Sequence, residues 1–347
     1  MSIWSTIKEW CNRPTRASTV RWIEPNNVRP AYEAVSIKAD ETYVRISLVE
    51  MVLSDSRRWF QDVQPTVQAL TRCKFGDRDV ELPSLAAADR GHYAPNRSVL
   101  SNVRLLDLVP FRGNSIELSA ALIAVPGDDR LANGISALAN IASLVSAPLT
   151  GVLALAGKLR ESTDLLVGGG AQVHLAYHNT FTAQPGASQL RAGYLAMIDA
   201  DPAALGAAAL VVDNDQLRIW AGGAAQPVGR DYLLLRFEVL AHRDDLRNFS
   251  DIEKGRTAAI EAYLKDGSEA GDRAYRAALA TILSHSELTN ADRRVLATEL
   301  KAECDPLRGR GFGAVGMEAR PWADFVAGLP EGNDQAPVLL DEFLQPG

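Results

Sequence analysis

Between Arg130 and Lys158 the chain reads LANGISALANIASLVSAPLTGVLALAG, without one charged residue. Such a run has to leave water, inside its own fold, in a subunit interface or in a bilayer. About 20 mostly apolar residues suffice to span a membrane, so length permits the last. Content argues against it: Asn133, Ser136, Asn140, Ser143, Ser146 and Thr150 dilute the apolar signal, and a polar amide at span depth is costly. Leu131, Ile135, Leu138, Ile141, Val145, Leu149 and Val152 recur at steps of three or four, which predicts a helix with a stripe of large residues and an opposite face of small ones. The run is read first as a buried helical insertion at 131–160. A second reading is a subunit interface through Ser136, Ala137, Asn140, Ser143 and Ala147. The third is a segment that enters a membrane.

On both sides of this run the pattern has period two. In YVRISLVEMVL, Val44, Ile46 and Leu48 alternate with Arg45 and Ser47, as a half-buried strand requires. Gly76-Asp77 sits between two alternating runs, and Gly113-Asn114 lies between LLDLVPF and SIELSAALIAV, each the pattern of a strand pair. Downstream, AQVHLAYHNTF, LRAGYLAMID, ALVVDNDQLRIW with its Asn214-Asp215 turn, and DYLLLRFEVL read as further strands. Strands without regular βα alternation favour a sandwich or barrel over a parallel sheet.

From Ser250 the period becomes helical. Ser250 with Glu253 and Thr289 with Asp292 have the spacing of capping boxes, and the last of three helices should stop by Pro306. The expected fold class is α+β: a β-sandwich-like domain over 31–245 carrying the apolar helical insertion, then a small helical subdomain over 250–305. A helical segment over 1–30 precedes them. A Gly/Pro-rich tail over 306–347 follows, with Trp322, Phe325, Leu339, Leu340 and Phe343 to dock it.

A formal net charge of −7 gives no global field toward nucleic acid, so none is expected as a partner. Three cysteines, odd in number and widely spaced, argue against a disulfide framework and a structural zinc site and fit a reducing cytoplasm. The first residues place Lys8 and Glu9 where a secretory signal needs an apolar core.

No motif carries a reaction. His174 and His178 would share one face of a helix, but their surroundings read as strand, where residues four apart stand roughly 13 Å from each other, too far for one metal. Gly311, Gly313 and Gly316 match a dinucleotide fingerprint without the flanking strand and helix it needs. The aspartates cluster without calcium-loop spacing, and no nucleophile motif is present. No cofactor or metal is expected. Arg57, Arg58 and Trp59, followed by Phe60, set guanidiniums beside aromatics, a combination suited to a protein contact. The expectation is therefore a non-catalytic assembly or interaction component, self-associating or bound to a protein partner. A membrane-perturbing effector using 131–157 and a hydrolase with a dispersed site are the alternatives.

Overall fold

The computed structural model describes residues 18–32, 35–54, 57–58, 61–75, 78–87, 99–126, 172–186, 188–205 and 209–308. They form a mixed α+β protein, three β-sheets followed by a C-terminal bundle of three helices. The strands are β1 Thr19–Trp22, β2 Val28–Arg29, β3 Tyr43–Val52, β4 Arg57–Arg58, β5 Gln61–Phe75, β6 Arg78–Ala87, β7 Val99–Pro110, β8 Ile116–Pro126, β9 Gln172–Phe181, β10 Gly193–Ile198, β11 Ala209–Asp213, β12 Gln216–Ala221, β13 Ala224–Pro227 and β14 Tyr232–Leu240. The helices of the bundle are α1 Ser250–Lys265, α2 Ser268–Ser284 and α3 Asn290–Arg308.

The chain divides into two compact units. The first holds all three sheets. Its first sheet has the order β1-β10-β14-β3-β7, its second β13-β12-β11-β2, and its third β4-β5-β8-β9 with β6 on β5. One core serves the first two sheets: Val49, Ala196, Ile198 and Leu234 from the first meet Val28, Leu210, Val212 and Leu217 from the second. Glu50, fully buried on β3, accepts the Leu217 N–H at 2.7 Å and so ties β12 to that core. Trp22, Phe181 and Phe237 form an aromatic cluster, with Phe237 at 5.0 Å from each of the other two ring centroids. This joins β9 of the third sheet to β1 and β14 of the first.

The second unit gathers Lys38–Tyr43, Pro110–Arg112 and the residues from Ala241 onward. Its helices bury residues three or four apart, Ala259 and Tyr263 on α1, Tyr275, Ala278 and Ile282 on α2, and Leu296, Leu300 and Cys304 on α3. Gly271 lets α2 approach α1, since a Cβ there would stand 2.1 Å from the Tyr263 ring.

Several local expectations change in three dimensions. β3 is buried on both faces rather than half-buried, with Ser47 2% exposed, because it runs between β14 and β7 inside the first sheet. β7 and β8 do not pair across Gly113-Asn114. β7 lies beside β3, while β8 pairs with β5 from Arg72↔Glu117 to Val63↔Pro126. Gly113-Asn114 is a bend between two sheets, and β8 gains its long ladder with β5 in the third sheet. Helix was expected up to residue 30, yet Thr19–Trp22 and Val28–Arg29 are strands, as their β-branched and aromatic residues favour.

Pro306 does not end α3, which continues to Arg308. Proline sits in the last turn, and the Arg308 side chain bonds Tyr263 and Asp272 and so anchors that turn. The Ser250–Glu253 capping box is not formed either. Ser250 is already inside α1, Phe249 holds the cap position without a side-chain bond, and Glu253 pairs with Arg256. Phe249 is buried in the helical core, so packing rather than a polar cap sets the start of α1.

Candidate functional site

The outer face of the second sheet follows from simple alternation. β11 and β12 turn Leu210, Val212 and Leu217 into the core. Their neighbours Ala209, Val211, Asp213, Gln216, Arg218 and Trp220 therefore point the other way. The register sets Trp220 opposite Ala209 on one side and Ala225 on the other. Two methyl groups cannot cover an indole, and Trp220 stays 44% exposed. The Gly222-Gly223 turn, with φ of 61° and 82°, returns the chain so that Ala225 takes this place. A groove of about 200 Å³ runs beside the indole, past Asn26, Asn27, Arg29, Val211 and Asp213. Arg29 and Arg218 against Asp213 leave this face with a local positive balance on a chain of net charge −7.

A second concavity, of about 530 Å³, opens where the second sheet stops covering the first. Pro30–Tyr32, the Asn214-Asp215 turn, Gly193-Tyr194 and Arg236–Leu240 line it. Along β14, Tyr232 and Leu234 lie in the shared core, and the same alternation brings Arg236 and Glu238 into the cleft. Tyr194 Oη donates to Asp215 Oδ1 at 2.6 Å, and Arg236 Nη1 stands 3.4 Å from Asp215 Oδ2. Arg236 Nε and Glu238 Oε2 are 3.7 Å apart, and Arg45 Nη1 is 3.8 Å from the same Glu238 oxygen. Arg45 then bonds Asp107 at 2.7 Å, and Asp107 also takes Arg104. The result is a ribbon of alternating charge, Asp215, Arg236, Glu238, Arg45, Asp107, Arg104.

Burial, and then Asp215, push the Tyr194 hydroxyl up to about 12, so it stays protonated. Burial also raises Tyr32. Burial works against the charge of Arg236, but Glu238, Tyr194 and Asp215 outweigh it and hold the guanidinium above its ordinary range.

Among the described residues, His174, His178 and His242 meet oxygen partners through Nδ1, each in a different way. Both His174 and His178 lie on β9, as expected, but a register shift between Leu122 and Ile123 makes His174 the extra residue of a bulge. His174 Nδ1 meets Asp231 Oδ2 at 3.0 Å, and the other Asp231 oxygen accepts both N–H and O–H of Ser54. Burial raises the Asp231 carboxyl, yet the bonds from His174 and Ser54 win and its pKa is lowered. The aspartate thus stands between serine and histidine, an order that cannot activate the serine. His178 Nδ1 meets Ser119 Oγ at 2.9 Å and Glu117 Oε1 at 3.8 Å. One nitrogen cannot accept from the serine and donate to the acid at once.

In the second unit, His242 Nδ1 meets the buried Asp292 at 2.7 Å while its ring is 60% exposed. Among the described residues no hydroxyl or thiol bonds that ring. No cluster of His, Cys, Asp and Glu among the described residues has the arrangement of a metal site. Cys73 and Cys304 are buried and free, and burial pushes the Cys73 thiol up to about 12.

Of the interface residues expected from sequence, Arg57 and Arg58 form β4, antiparallel to Gln61-Asp62. Trp59, Ser136, Ala137, Asn140, Ser143 and Ala147 lie outside the described residues, as do the whole run 131–157, the glycines 311, 313 and 316 and the tail from 309. No helix among the described residues is long and apolar enough to cross a membrane. Sequence reasoning passed over Trp220, Tyr32, Gly193 and Arg236. WAGGAAQP, a tryptophan just before a Gly-Gly turn between alternating runs, was the available signal for the first. Comparison with protein-family models, curated proteins and solved structures finds no match.

Proposed function

We propose that the chain is a non-catalytic interaction component that holds a short segment of a partner protein on the outer face of its second sheet. The observation that carries this reading is Trp220, set between two alanines beside a groove. Tryptophan and arginine supply much of the energy in protein contacts, and an exposed indole that lines the same groove as Arg29 has the make-up of such an anchor. Size decides what fits. Four strands about 4.8 Å apart and two to six residues long offer roughly 270 Å², against the roughly 800 Å² per partner of a stable globular interface. A peptide segment matches that area. The groove takes one or two apolar side chains, and the local positive balance favours an acidic residue next to them.

The sandwich-like description of the β unit belongs to the same proposal. The core common to the first and second sheets supports it. Selection of a random-peptide display library on the full chain, followed by titration of the selected peptides by fluorescence polarisation, tests the function. Peptides combining an apolar and an acidic residue should bind and lose at least tenfold in affinity to Trp220→Ser. Equal binding to both proteins, or no enrichment, would refute the reading. A discrete dimer in light scattering that Trp220→Ser dissolves would put a second copy in place of the peptide.

A further inference from the structure

The cleft at Tyr32, Tyr194, Arg236 and Glu238 is independent of the Trp220 face, and its lining specifies a different kind of ligand. Its volume of about 530 Å³ lies within the roughly 300–1,000 Å³ of small-molecule sites. Its charges are already engaged. Arg236 faces Asp215 at 3.4 Å and Glu238 at 3.7 Å, so an incoming anion would compete with two carboxylates for one guanidinium. A cation would compete with that guanidinium for both acids. Separations of 3.4–3.8 Å along Asp215, Arg236, Glu238 and Arg45 are attractive but longer than good hydrogen bonds. Among the described residues the buried Arg236 Nε and Glu238 Oε2 meet no hydrogen-bond partner. Those two atoms are out of a ligand's reach, but the three side chains stay 25–35% exposed, so the remaining carboxylate lone pairs and outer N–H groups can still meet a ligand.

A hydroxyl fits this arrangement. It accepts from a guanidinium and donates to a carboxylate at the same time without adding a charge to pairs already balanced, which neither an anion nor an ammonium can do. Neighbouring hydroxyls on a ring would meet Asp215, Arg236 and Glu238 together. Tyr194, protonated at neutral pH, and Tyr32 add two more hydroxyl groups. The partly exposed Tyr32 ring, edge-on to Tyr194 at 6.2 Å, provides an apolar surface for ring C–H groups. Gly193 leaves room for Tyr32, because a Cβ at that position would stand 2.7 Å from its hydroxyl oxygen.

We infer that the cleft binds a neutral, polyhydroxylated ring, a sugar unit carried free or on a glycan. The test uses the full chain with methyl glycosides of glucose, galactose and mannose, N-acetylglucosamine, cellobiose and maltose, each followed by saturation-transfer NMR and calorimetry. Inorganic phosphate and spermidine serve as charged controls. At least one saccharide should bind, and Glu238→Gln and Tyr32→Ala should each weaken it tenfold or more. Gly193→Ala, which changes no polar group, should weaken it as well by displacing Tyr32, and circular dichroism identifies any variant that has lost its fold. Absence of binding by every saccharide at 20-fold molar excess and millimolar concentration would overturn the inference. So would binding that all three folded variants retain, or a preference for phosphate or spermidine at these residues.

Discussion

Tyr43 is inserted into the cap of helix α3: its hydroxyl donates to Asp292 Oδ2 at 2.7 Å and accepts the Thr289 N–H at 2.9 Å. In a simple capping box the acid would reach back to the cap N–H itself. Here the acid's own N–H bonds Thr289 Oγ1 at 3.3 Å, and a tyrosine from 249 positions earlier relays the other half. Asp292 is fully buried, and His242 and the Arg243 N–H complete its partners. Burial, and then Asp292, raise the Tyr43 hydroxyl far above its ordinary value, so it remains a donor.

Tyr43→Phe should therefore cost about 2 kcal/mol, since it takes the acceptor from the buried Thr289 N–H and leaves Asp292 Oδ2 with the Arg243 N–H alone. Asp292→Ala should cost more, about 3 kcal/mol, because three donors lose their acceptor. Hydrogen exchange of the α3 amides reads both effects, and unchanged protection in Asp292→Ala would rule out the relay as a stabilising device.

Two helical glycines should respond oppositely to the same change. At Gly271 a methyl group would sit 2.1 Å from Tyr263, whose ring is locked by Asp272 and Arg308, so Gly271→Ala should destabilise by about 1–3 kcal/mol. At Gly255 the nearest atom is the Ala278 Cβ at 3.3 Å, a gap that closes with a small shift. The gain in helix propensity, about 1 kcal/mol, should then leave Gly255→Ala neutral or stabilising. Urea denaturation measures both, and similar losses at the two sites would contradict the packing argument.

His285 makes the second unit sensitive to acid. Burial, against the Phe249 ring at 4.7 Å, lowers its pKa below 6.5, although Asp251 and Glu287 pull it upward and Arg293 and Arg243 push it down. The unfolded chain then takes up the proton first. Stability from this residue is present above the ordinary value of 6.5 and is lost as the pH falls through the lowered folded value. His285→Gln should flatten the urea midpoint between pH 7.5 and pH 5.5 relative to the parent chain. An equal slope in both proteins would exclude His285 as its source.

The individual elements were legible because their signals are local. ALVVDNDQLRIW announced β11, its turn and β12, and Asn214 and Asp215 do adopt positive φ of 49° and 63°. Helical spacing identified α1, α2 and α3, whose buried residues fall three and four apart. The pattern could not say which strand β8 would choose, because strand partners are selected by the packing of whole sheets. It also misjudged Ser47, a polar residue that the central strand buries.

Both candidate surfaces depend on that choice of neighbours. Trp220 is exposed because the register puts alanines on either side of it, and one residue of slip would have turned it into the core. The ribbon from Asp215 to Arg104 joins side chains from β14, β3 and β7 and the β11–β12 turn, with no two of those three strands consecutive in the chain. The sequence alone determined where strands and helices form, since backbone propensity and hydrophobic period act within a few residues. Only the tertiary structure decided which charges meet, which tryptophan faces water and where a cleft opens, since these follow from the packing of sheets whose strands are distant in sequence.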